Sequence, residues 1–140
     1  MSTWVISTNP VTTYNAEASL RANGQMDWVT NNKFKIGDIV YVYEVIPPRG
    51  RGGIVYKLEV IADDITMDTK IDDRQFWANG VYPQGLSSYP RIFRLKAVGE
   101  ARDGVIPLKE LKQRGFTAPQ IAYTLDANPA LVEYIEEFIV

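Results

Sequence analysis

Apolar and polar residues alternate in four stretches of the chain, and this alternation predicts β-strands. The clearest stretch follows a turn at 37–38, where Ile39, Tyr41 and Tyr43 alternate with residues that are themselves mostly apolar. That pattern is typical of a strand buried on both faces. The predicted strands cover residues 3–8, 39–45, 54–61 and 92–98. Proline and glycine fill residues 47–53, which predicts a hairpin loop between the second and third strands.

Helical signals come from spacing and from residues that begin or end helices. Helix formers at 13–23 predict a first helix, which Gly24 ends because glycine adopts the left-handed conformation at little cost. Pro107 begins a second predicted helix that runs to residue 114. Thr117 and Gln120 have the spacing of a capping box. A final helix after Asn128-Pro129 carries five apolar residues at helical spacing, a stripe that packs on the sheet: Leu131, Tyr134, Ile135, Phe138 and Ile139.

These elements together predict an α+β fold, with a strongly curved sheet or small barrel and a few peripheral helices. A chain of 140 residues is long enough for one compact domain, so we expect a single domain over residues 1–140. No apolar run is long enough to cross a membrane. Residues 1–10 lack the features of a signal peptide, and we therefore expect a cytoplasmic protein.

Composition excludes several kinds of chemistry. The chain has neither cysteine nor histidine, which excludes disulfides, thiolate metal sites and catalysis by Ser-His or Cys-His pairs. The net charge is −2, from 15 basic and 17 acidic residues, so there is no overall basic surface for duplex nucleic acid. Charge is uneven, because residues 61–90 hold five aspartates against Lys70 and Arg74. A local basic groove elsewhere remains possible.

The aromatic residues give the better indication of function. Trp28 and Trp77 both stand in polar stretches that we interpret as loops, where an indole is costly unless something covers it. Two such indoles can face each other across a cleft. The slot between them suits one unpaired nucleobase, whose faces stack on indole and whose edge meets amides and hydroxyls. The alternative is that both tryptophans fill gaps beneath long loops.

Two other stretches carry weaker signals. The five aspartates between residues 63 and 73 lack the spacing and the central glycine of a calcium loop, so we interpret them as a solvated loop. We predict no metal site and no cofactor. Residues 49–53 are not a phosphate-binding loop, because no Gly-Lys-Ser/Thr follows. Arg49 and Arg51 belong either to a flexible hairpin tip or to a contact with a phosphate backbone.

Five runs occur in a characteristic order. They are Trp-Val-Ile-Ser-Thr at 4–8, Phe-Lys-Ile-Gly-Asp-Ile-Val-Tyr-Val-Tyr at 34–43, Gly-Ile-Val-Tyr-Lys-Leu-Glu-Val at 53–60, Phe-Arg-Leu-Lys at 93–96 and Ile-Pro-Leu-Lys-Glu-Leu at 106–111. Together they resemble the EVE domain family over nearly the whole chain. EVE domains belong to the PUA-like group, which also includes YTH and ASCH domains. The resemblance implies a PUA-like pseudo-barrel with a mixed sheet of about five to six strands.

A second likeness concerns the tryptophans. Trp-Val-Thr-Asn-Asn-Lys at 28–33 is similar to the YTH stretch in which Trp precedes Ser/Thr and Asn, and Phe76-Trp77 falls where YTH domains place a second cage Trp. YTH domains hold N6-methyladenine of RNA in an aromatic cage, and EVE domains are proposed to hold modified cytosine or related bases in DNA. The likeness implies a non-catalytic module that captures one extruded, modified base of DNA or RNA. It also implies a fused or tethered nuclease as a possible partner.

Carried over to this chain, the resemblance gives two sets of candidate residues. Trp28 and Trp77 become cage walls, and the other base-binding candidates are Ser7, Thr8, Thr30, Asn31 and Tyr43. Charge alone, without a motif, indicates the phosphate-contacting candidates, which are Lys33, Arg49, Arg51, Arg91 and Arg94.

The sequence departs from the family in two places. Tyr56-Lys57 replaces a usual glycine, and residues 63–90 form a longer segment than in compact EVE domains. Two other function classes stay open. One is a protein-interaction domain whose cleft is filled by side chains or by a partner peptide. The other is an ASCH-like hydrolase, which needs a lysine and a carboxylate in the cleft; the candidates are Lys33, Lys35 and Glu44.

Overall fold

The computed structural model describes all residues from 1 to 140, which form one mixed sheet flanked by helices. The strands are β1 (Thr3–Thr8), β2 (Gln25–Thr30), β3 (Ile39–Glu44), β4 (Gly53–Ala62), β5 (Arg91–Glu100), β6 (Ile106–Pro107) and β7 (Tyr123–Thr124). The helices are α1 (Ala16–Asn23), α2 (Leu108–Lys112) and α3 (Pro129–Glu136). Short 3₁₀ helices occupy Arg74–Phe76 and Leu86–Ser88.

The sheet is strongly curled. Its strand order is β2-β5-β4-β3-β1-β7, and β6 pairs with β4. Only β1 and β3 are parallel. Register shifts in the β3–β4 and β4–β5 pairs strengthen the local twist. The two ends of the sheet approach each other, because residues of β2 and of the segment before β7 line one cavity. The predicted curved mixed sheet with peripheral helices is confirmed, with seven strands instead of five to six.

Both faces of the sheet are buried, and β3 shows why. Val40 and Val42 belong to one apolar cluster, on the side of α1, whereas Tyr41 and Tyr43 belong to a second cluster with residues of α2 and α3. Because successive strand residues point to opposite faces, an unbroken apolar run supplies both clusters. The strand buried on both faces that the sequence predicts is confirmed.

Local signals set the ends of α1 and α3. The Asn15 side chain accepts a hydrogen bond from the Ala18 amide, so α1 begins after Asn15 and not at residue 13. Gly24 ends α1 with a φ of 70°. Asn128 caps α3 in the same way, by accepting from the Leu131 amide. The stripe residues Leu131 and Ile135 are buried in the second cluster.

The interpretation of the Trp28 stretch as a loop was wrong, because Trp28 lies in β2. Asp27 faces Arg94 of β5 in register, and the guanidinium donates to the two carboxylate oxygens at 2.8 and 2.9 Å. A buried charge is tolerated when it is paired and hydrogen-bonded. The cross-strand partner therefore allows a polar sequence to form a strand at the end of the sheet.

The predicted capping box at 117–120 was also wrong, since no helix follows it. The Tyr123 hydroxyl donates to the Thr117 carbonyl and accepts from the Thr117 amide. Tyr123 itself lies in β7, which pairs with β1. The backbone of Thr117 is thus satisfied by a side chain from the sheet, and residues 117–120 form neither helix nor strand.

Candidate functional site

Four aromatic rings, from Tyr14, Trp28, Trp77 and Tyr89, line a partly open cavity of about 270 Å³. The Tyr14 ring centroid lies 6.2 Å from that of Trp28 and 4.8 Å from that of Trp77. Tyr14 is buried, whereas both indoles are half-buried and pack against the first apolar cluster. Tyr14 therefore bridges two indoles that stand far apart in the sequence.

Backbone pairing holds each indole in place. Trp28 is opposite Phe93 in the β2–β5 ladder. Trp77 forms an isolated antiparallel bridge with Tyr14, supported by the bonds from the Asn15 amide to the Phe76 carbonyl (2.8 Å) and from the Ala78 amide to the Thr13 carbonyl (2.8 Å). The segment 63–90 is thus fastened to the residues just before α1. Sites held by such ladders keep their geometry better than sites on free loops.

A buried polar network contacts the hydroxyl of Tyr14. Its hydroxyl lies 2.8 Å from the Ser19 hydroxyl and 3.0 Å from an Asp73 carboxylate oxygen. Asp73 also binds the Lys70 ammonium, and the two side chains are each only 1% exposed. Burial, together with the Asp73 charge, raises the pKa of Tyr14, so the hydroxyl stays protonated. The interpretation of all five aspartates as solvated was therefore wrong for Asp73.

The rest of the cavity lining is mainly apolar. Val29, Leu86 and Tyr89 contribute side chains, and Gln84 adds an amide. The indole nitrogen of Trp77 is buried and has no hydrogen-bond partner in the protein. Buried donors are nearly always paired, and an unpaired one costs about 1–3 kcal/mol.

Sequence reasoning missed Tyr14, Leu86 and Tyr89. Tyr14 was assigned to the first helix, although Asn15 is a good helix cap and places Tyr14 outside it. The residues Leu86 and Tyr89 lie in the irregular segment, where no periodicity indicates which side chains turn inward. The Tyr14–Trp77 bridge and the bond from the Ile71 amide to Asp27 bring this segment to the site.

A second cavity, of about 350 Å³, adjoins the first and shares Trp28, Val29 and Tyr89 with it. Three of the predicted base-binding residues, Ser7, Thr30 and Asn31, line this second cavity and not the first. The structure therefore brings these polar residues to Trp28 but not to Trp77.

Two other predicted base-binding residues lie in the interior. Thr8 is buried, and its hydroxyl donates to the Tyr43 carbonyl. Tyr43 is buried in the second cluster, where its ring lies 5.8 Å from that of Phe116. Neither lines the cavities that contain the indoles.

The phosphate-contacting candidates fall into two groups, those paired with carboxylates and those without an ion pair. The Arg51 guanidinium binds both carboxylate oxygens of Glu44 and lies 3.3 Å from Glu17, and Arg94 binds Asp27. Arg91 donates to the Asn31 carbonyl at 3.0 Å, beside the second cavity. The two remaining candidates, Lys33 and Arg49, are exposed and make no ion pair.

The groups that a hydrolase would need do not meet at the indoles. Lys33, Lys35 and Glu44 are absent from the lining of both cavities, and Glu44 is held by Arg51. Asp27 is the one acidic residue along the first cavity, and its side chain is fully covered by Arg94 and by the amide of Ile71. No group of three or more potential ligands is arranged to hold a metal ion.

The sequence matches no protein-family model and no curated protein. Several solved structures nevertheless share its architecture. The chain is similar to the ASCH protein of Zymomonas mobilis, with a TM-score of 0.64, 15% identity, and coverage of 99% of this chain and 96% of the other. It is similar to a hypothetical protein from Leishmania major, with a TM-score of 0.63, 16% identity, and coverage of 98% and 96%. Human THYN1, solved in complex with 5-methylcytosine-containing DNA, gives a TM-score of 0.52 at 17% identity, with coverage of 81% and 74%.

The fold is a PUA-like pseudo-barrel of the α+β class. At these identities the comparisons establish the fold and not the activity. The PUA-like fold that the resemblance implies is confirmed. None of the helices has the length and apolar character needed to cross a membrane.

Proposed function

We propose that this protein is a nucleic-acid-binding module that captures one extruded, modified base between Trp28 and Trp77, without a chemical step. The observation that carries the proposal is the first cavity, with two half-buried indoles joined through Tyr14. Its volume of about 270 Å³ lies just below the usual range of pockets for drug-sized molecules, which fits a ligand as small as one base.

The energetics agree with a flat aromatic ligand. Extruding a base costs a few kcal/mol, and each base–aromatic stack contributes about 1–3 kcal/mol. Stacking on both indoles therefore offsets most of the cost.

Selectivity for a methylated base follows from the apolar lining. Burying one added methyl group against side chains such as Val29 and Leu86 contributes about 0.8 kcal/mol, which is a factor of about four in affinity. A module with such modest selectivity works best when it is tethered to a second activity, such as a nuclease. The DNA complex of human THYN1, which has a similar fold, supports a base of the 5-methylcytosine kind as the first ligand to test.

The remaining candidates take roles that fit their positions. Ser7, Thr30 and Asn31 contact the ligand from the second cavity. Lys33, Arg91 and Arg49 contact phosphates. Arg51 and Arg94 hold the fold, because their guanidiniums already bind carboxylates.

Isothermal titration with a hexadeoxynucleotide that contains 5-methylcytosine tests the proposal, with an N6-methyladenine hexamer and an unmodified hexamer alongside. We expect Trp28→Ala to weaken binding of the preferred methylated hexamer at least tenfold, and Trp28→Phe to weaken it less because a ring remains. Trp4→Phe is the matched control, since Trp4 lies outside both cavities and packs edge-on against Phe34. Circular dichroism checks that each variant is folded. Unchanged affinity in a folded Trp28→Ala protein contradicts the proposal.

A further inference from the structure

The second cavity adjoins the first but differs from it in chemistry. Six of the nine residues that line the first cavity are hydrophobic. The second cavity combines six hydrophobic residues, Trp28 and Tyr89 among them, with five hydroxyl and amide residues, which are Ser7, Thr30, Asn31, Asn32 and Gln120. No acidic residue lines it. The second cavity therefore offers hydrogen-bonding side chains beside the aromatic residues that the two cavities share.

Several of these polar groups have no partner within the protein. The side chains of Ser7, Asn31 and Gln120 make no hydrogen bond to another residue. Asn32 is different, because its side-chain oxygen accepts from the Thr30 hydroxyl at 2.8 Å and its backbone N–H donates to that hydroxyl at 3.0 Å. These two contacts fix Asn32 in the lining and leave its side-chain nitrogen free to donate.

The position of the second cavity follows from the open seam of the barrel. Ser7 belongs to β1, Thr30 ends β2, and Gln120 lies in the segment that leads into β7. The strands β2 and β7 are the two ends of the sheet, and no ladder joins them. Backbone and side-chain polar groups at such a seam stay available for an extended ligand.

The rim of this seam carries positive charge. Arg91 is fixed there by its bond to the Asn31 carbonyl, and Lys33 follows two residues after Asn31 with its side chain exposed. The phenol ring of Tyr89, which lines both cavities, is 45% exposed and offers a face for stacking. A polar groove with cations on its rim and an exposed ring is the usual surface for a single nucleic-acid strand.

We propose that the second cavity binds the nucleotide next to the captured base, so that the ligand is a single-stranded stretch of at least two nucleotides. This inference rests on the proposed function. The base in the first cavity remains attached to its sugar and phosphates. This backbone must lie outside the cavity, on the side open to solvent. The adjoining seam supplies hydrogen-bonding side chains for the neighbouring sugar and base edge, and Lys33 or Arg91 reaches the phosphate between them. A free base, nucleoside or mononucleotide leaves this surface unused.

The test compares 5-methyl-2′-deoxycytidine 5′-monophosphate with the trideoxynucleotide that carries 5-methylcytosine at its centre, by titration calorimetry on the full chain. The corresponding mononucleotide and trinucleotide that carry N6-methyladenine are titrated in the same way. We expect the trinucleotide to bind at least tenfold more tightly than the mononucleotide. The double variant Asn32→Ala with Gln120→Ala removes about fivefold or more of the trinucleotide affinity and leaves the mononucleotide affinity unchanged. Gln113→Ala is the matched control, because Gln113 is an exposed amide at the end of α2, outside both cavities.

The outcomes separate this inference from the proposed function. Equal affinities for mononucleotide and trinucleotide overturn the inference, as does a double variant that binds the trinucleotide like the wild type, and both results leave base capture intact. A double variant that weakens both probes equally also overturns it. No binding of any probe to the wild type overturns the proposed function together with the inference.

Discussion

The ring of Tyr14 lies 4.8 Å, centroid to centroid, from the indole of Trp77, and the same two residues form an antiparallel bridge. This pair connects the candidate site to the buried Lys70–Asp73 ion pair, since the Tyr14 hydroxyl contacts Asp73. The ring of Tyr14 lines the cavity, whereas its hydroxyl contacts Ser19 and Asp73 in the interior. The two roles are separable by mutation.

Replacing Tyr14 with Phe tests that separation. The ring remains, but the Asp73 carboxylate and the Ser19 hydroxyl lose a partner in a buried place. Hydrogen bonds to charged groups contribute about 1.5–3 kcal/mol, so we expect the free energy of unfolding to fall by about 2 kcal/mol in urea titrations. Affinity for the methylated hexamer stays within twofold of the wild type.

The control for this variant is Tyr89→Phe, because the Tyr89 hydroxyl makes no hydrogen bond within the protein and the residue is exposed. Its free energy of unfolding is expected to match the wild type. A Tyr14→Phe protein as stable as the wild type contradicts the role of the hydroxyl. A tenfold loss of affinity in that variant contradicts the separation of the two roles.

The charge at the seam is tested through salt dependence. Each phosphate contact on a single strand contributes about 0.7 to the slope of log affinity against log salt concentration. Lys33→Gln is therefore expected to lower the magnitude of that slope by about 0.7 between 50 and 200 mM salt, the range in which such contacts weaken strongly. Lys112→Gln, on the exposed surface of α2, is expected to leave the slope unchanged. An identical slope for the Lys33 variant and the wild type removes Lys33 from the phosphate contacts.

Asp38 makes the stability of the fold sensitive to acid. Its carboxylate accepts from the Ser2 amide at 2.8 Å, the Lys35 amide at 2.9 Å and the Trp4 indole at 3.0 Å. Burial works to raise the pKa of Asp38, but these donors outweigh it, so the pKa lies below the usual range for aspartate. The folded state then binds fewer protons than the unfolded state near the ordinary pKa of about 4.

The stability contributed by Asp38 is therefore complete above about pH 4 and is lost as the pH falls through the lowered pKa. Asp38→Asn is expected to lower the free energy of unfolding by about 2 kcal/mol at pH 7, because a charged acceptor is lost, and to flatten its decline in acid. Urea titrations from pH 7 to pH 3 measure both effects. Asp103→Asn, at an exposed position without a partner, serves as the comparison. Parallel acid profiles for Asp38→Asn and the wild type contradict this account.

The parts of the fold that could be predicted from the sequence depend on local signals. The alternation along β3 predicts a strand because neighbouring residues alone decide which face each side chain takes. Gly24 and Asn128 mark helix ends because their effects act within one turn. In contrast, β2 depends on Arg94, which lies far along the chain and neutralises Asp27. The residues near Trp28 in the sequence therefore give no sign that Arg94 pairs with Asp27.

The same distinction applies to the candidate site. Trp28 and Trp77 stand out in the sequence because large indoles in polar stretches need a reason to be there. Tyr14 does not stand out, since its role depends on the bridge to Trp77 and on the buried Asp73. The assignment of Ser7 and Asn31 to a second cavity likewise follows from the curl of the sheet, which brings β1 next to the end of β2. Such relationships arise only when distant segments pack together.

The indole N–H resonances give the most direct test of base capture. The chain has three tryptophans, so ¹⁵N-labelled protein gives three indole signals, which single Trp→Phe variants assign. Titration with the methylated hexamer is expected to shift the signals of Trp28 and Trp77, because both indoles line the cavity that receives the base. The Trp4 signal stays fixed, since that N–H already donates to Asp38. Saturable binding that leaves the signals of Trp28 and Trp77 unmoved contradicts the capture of a base between them.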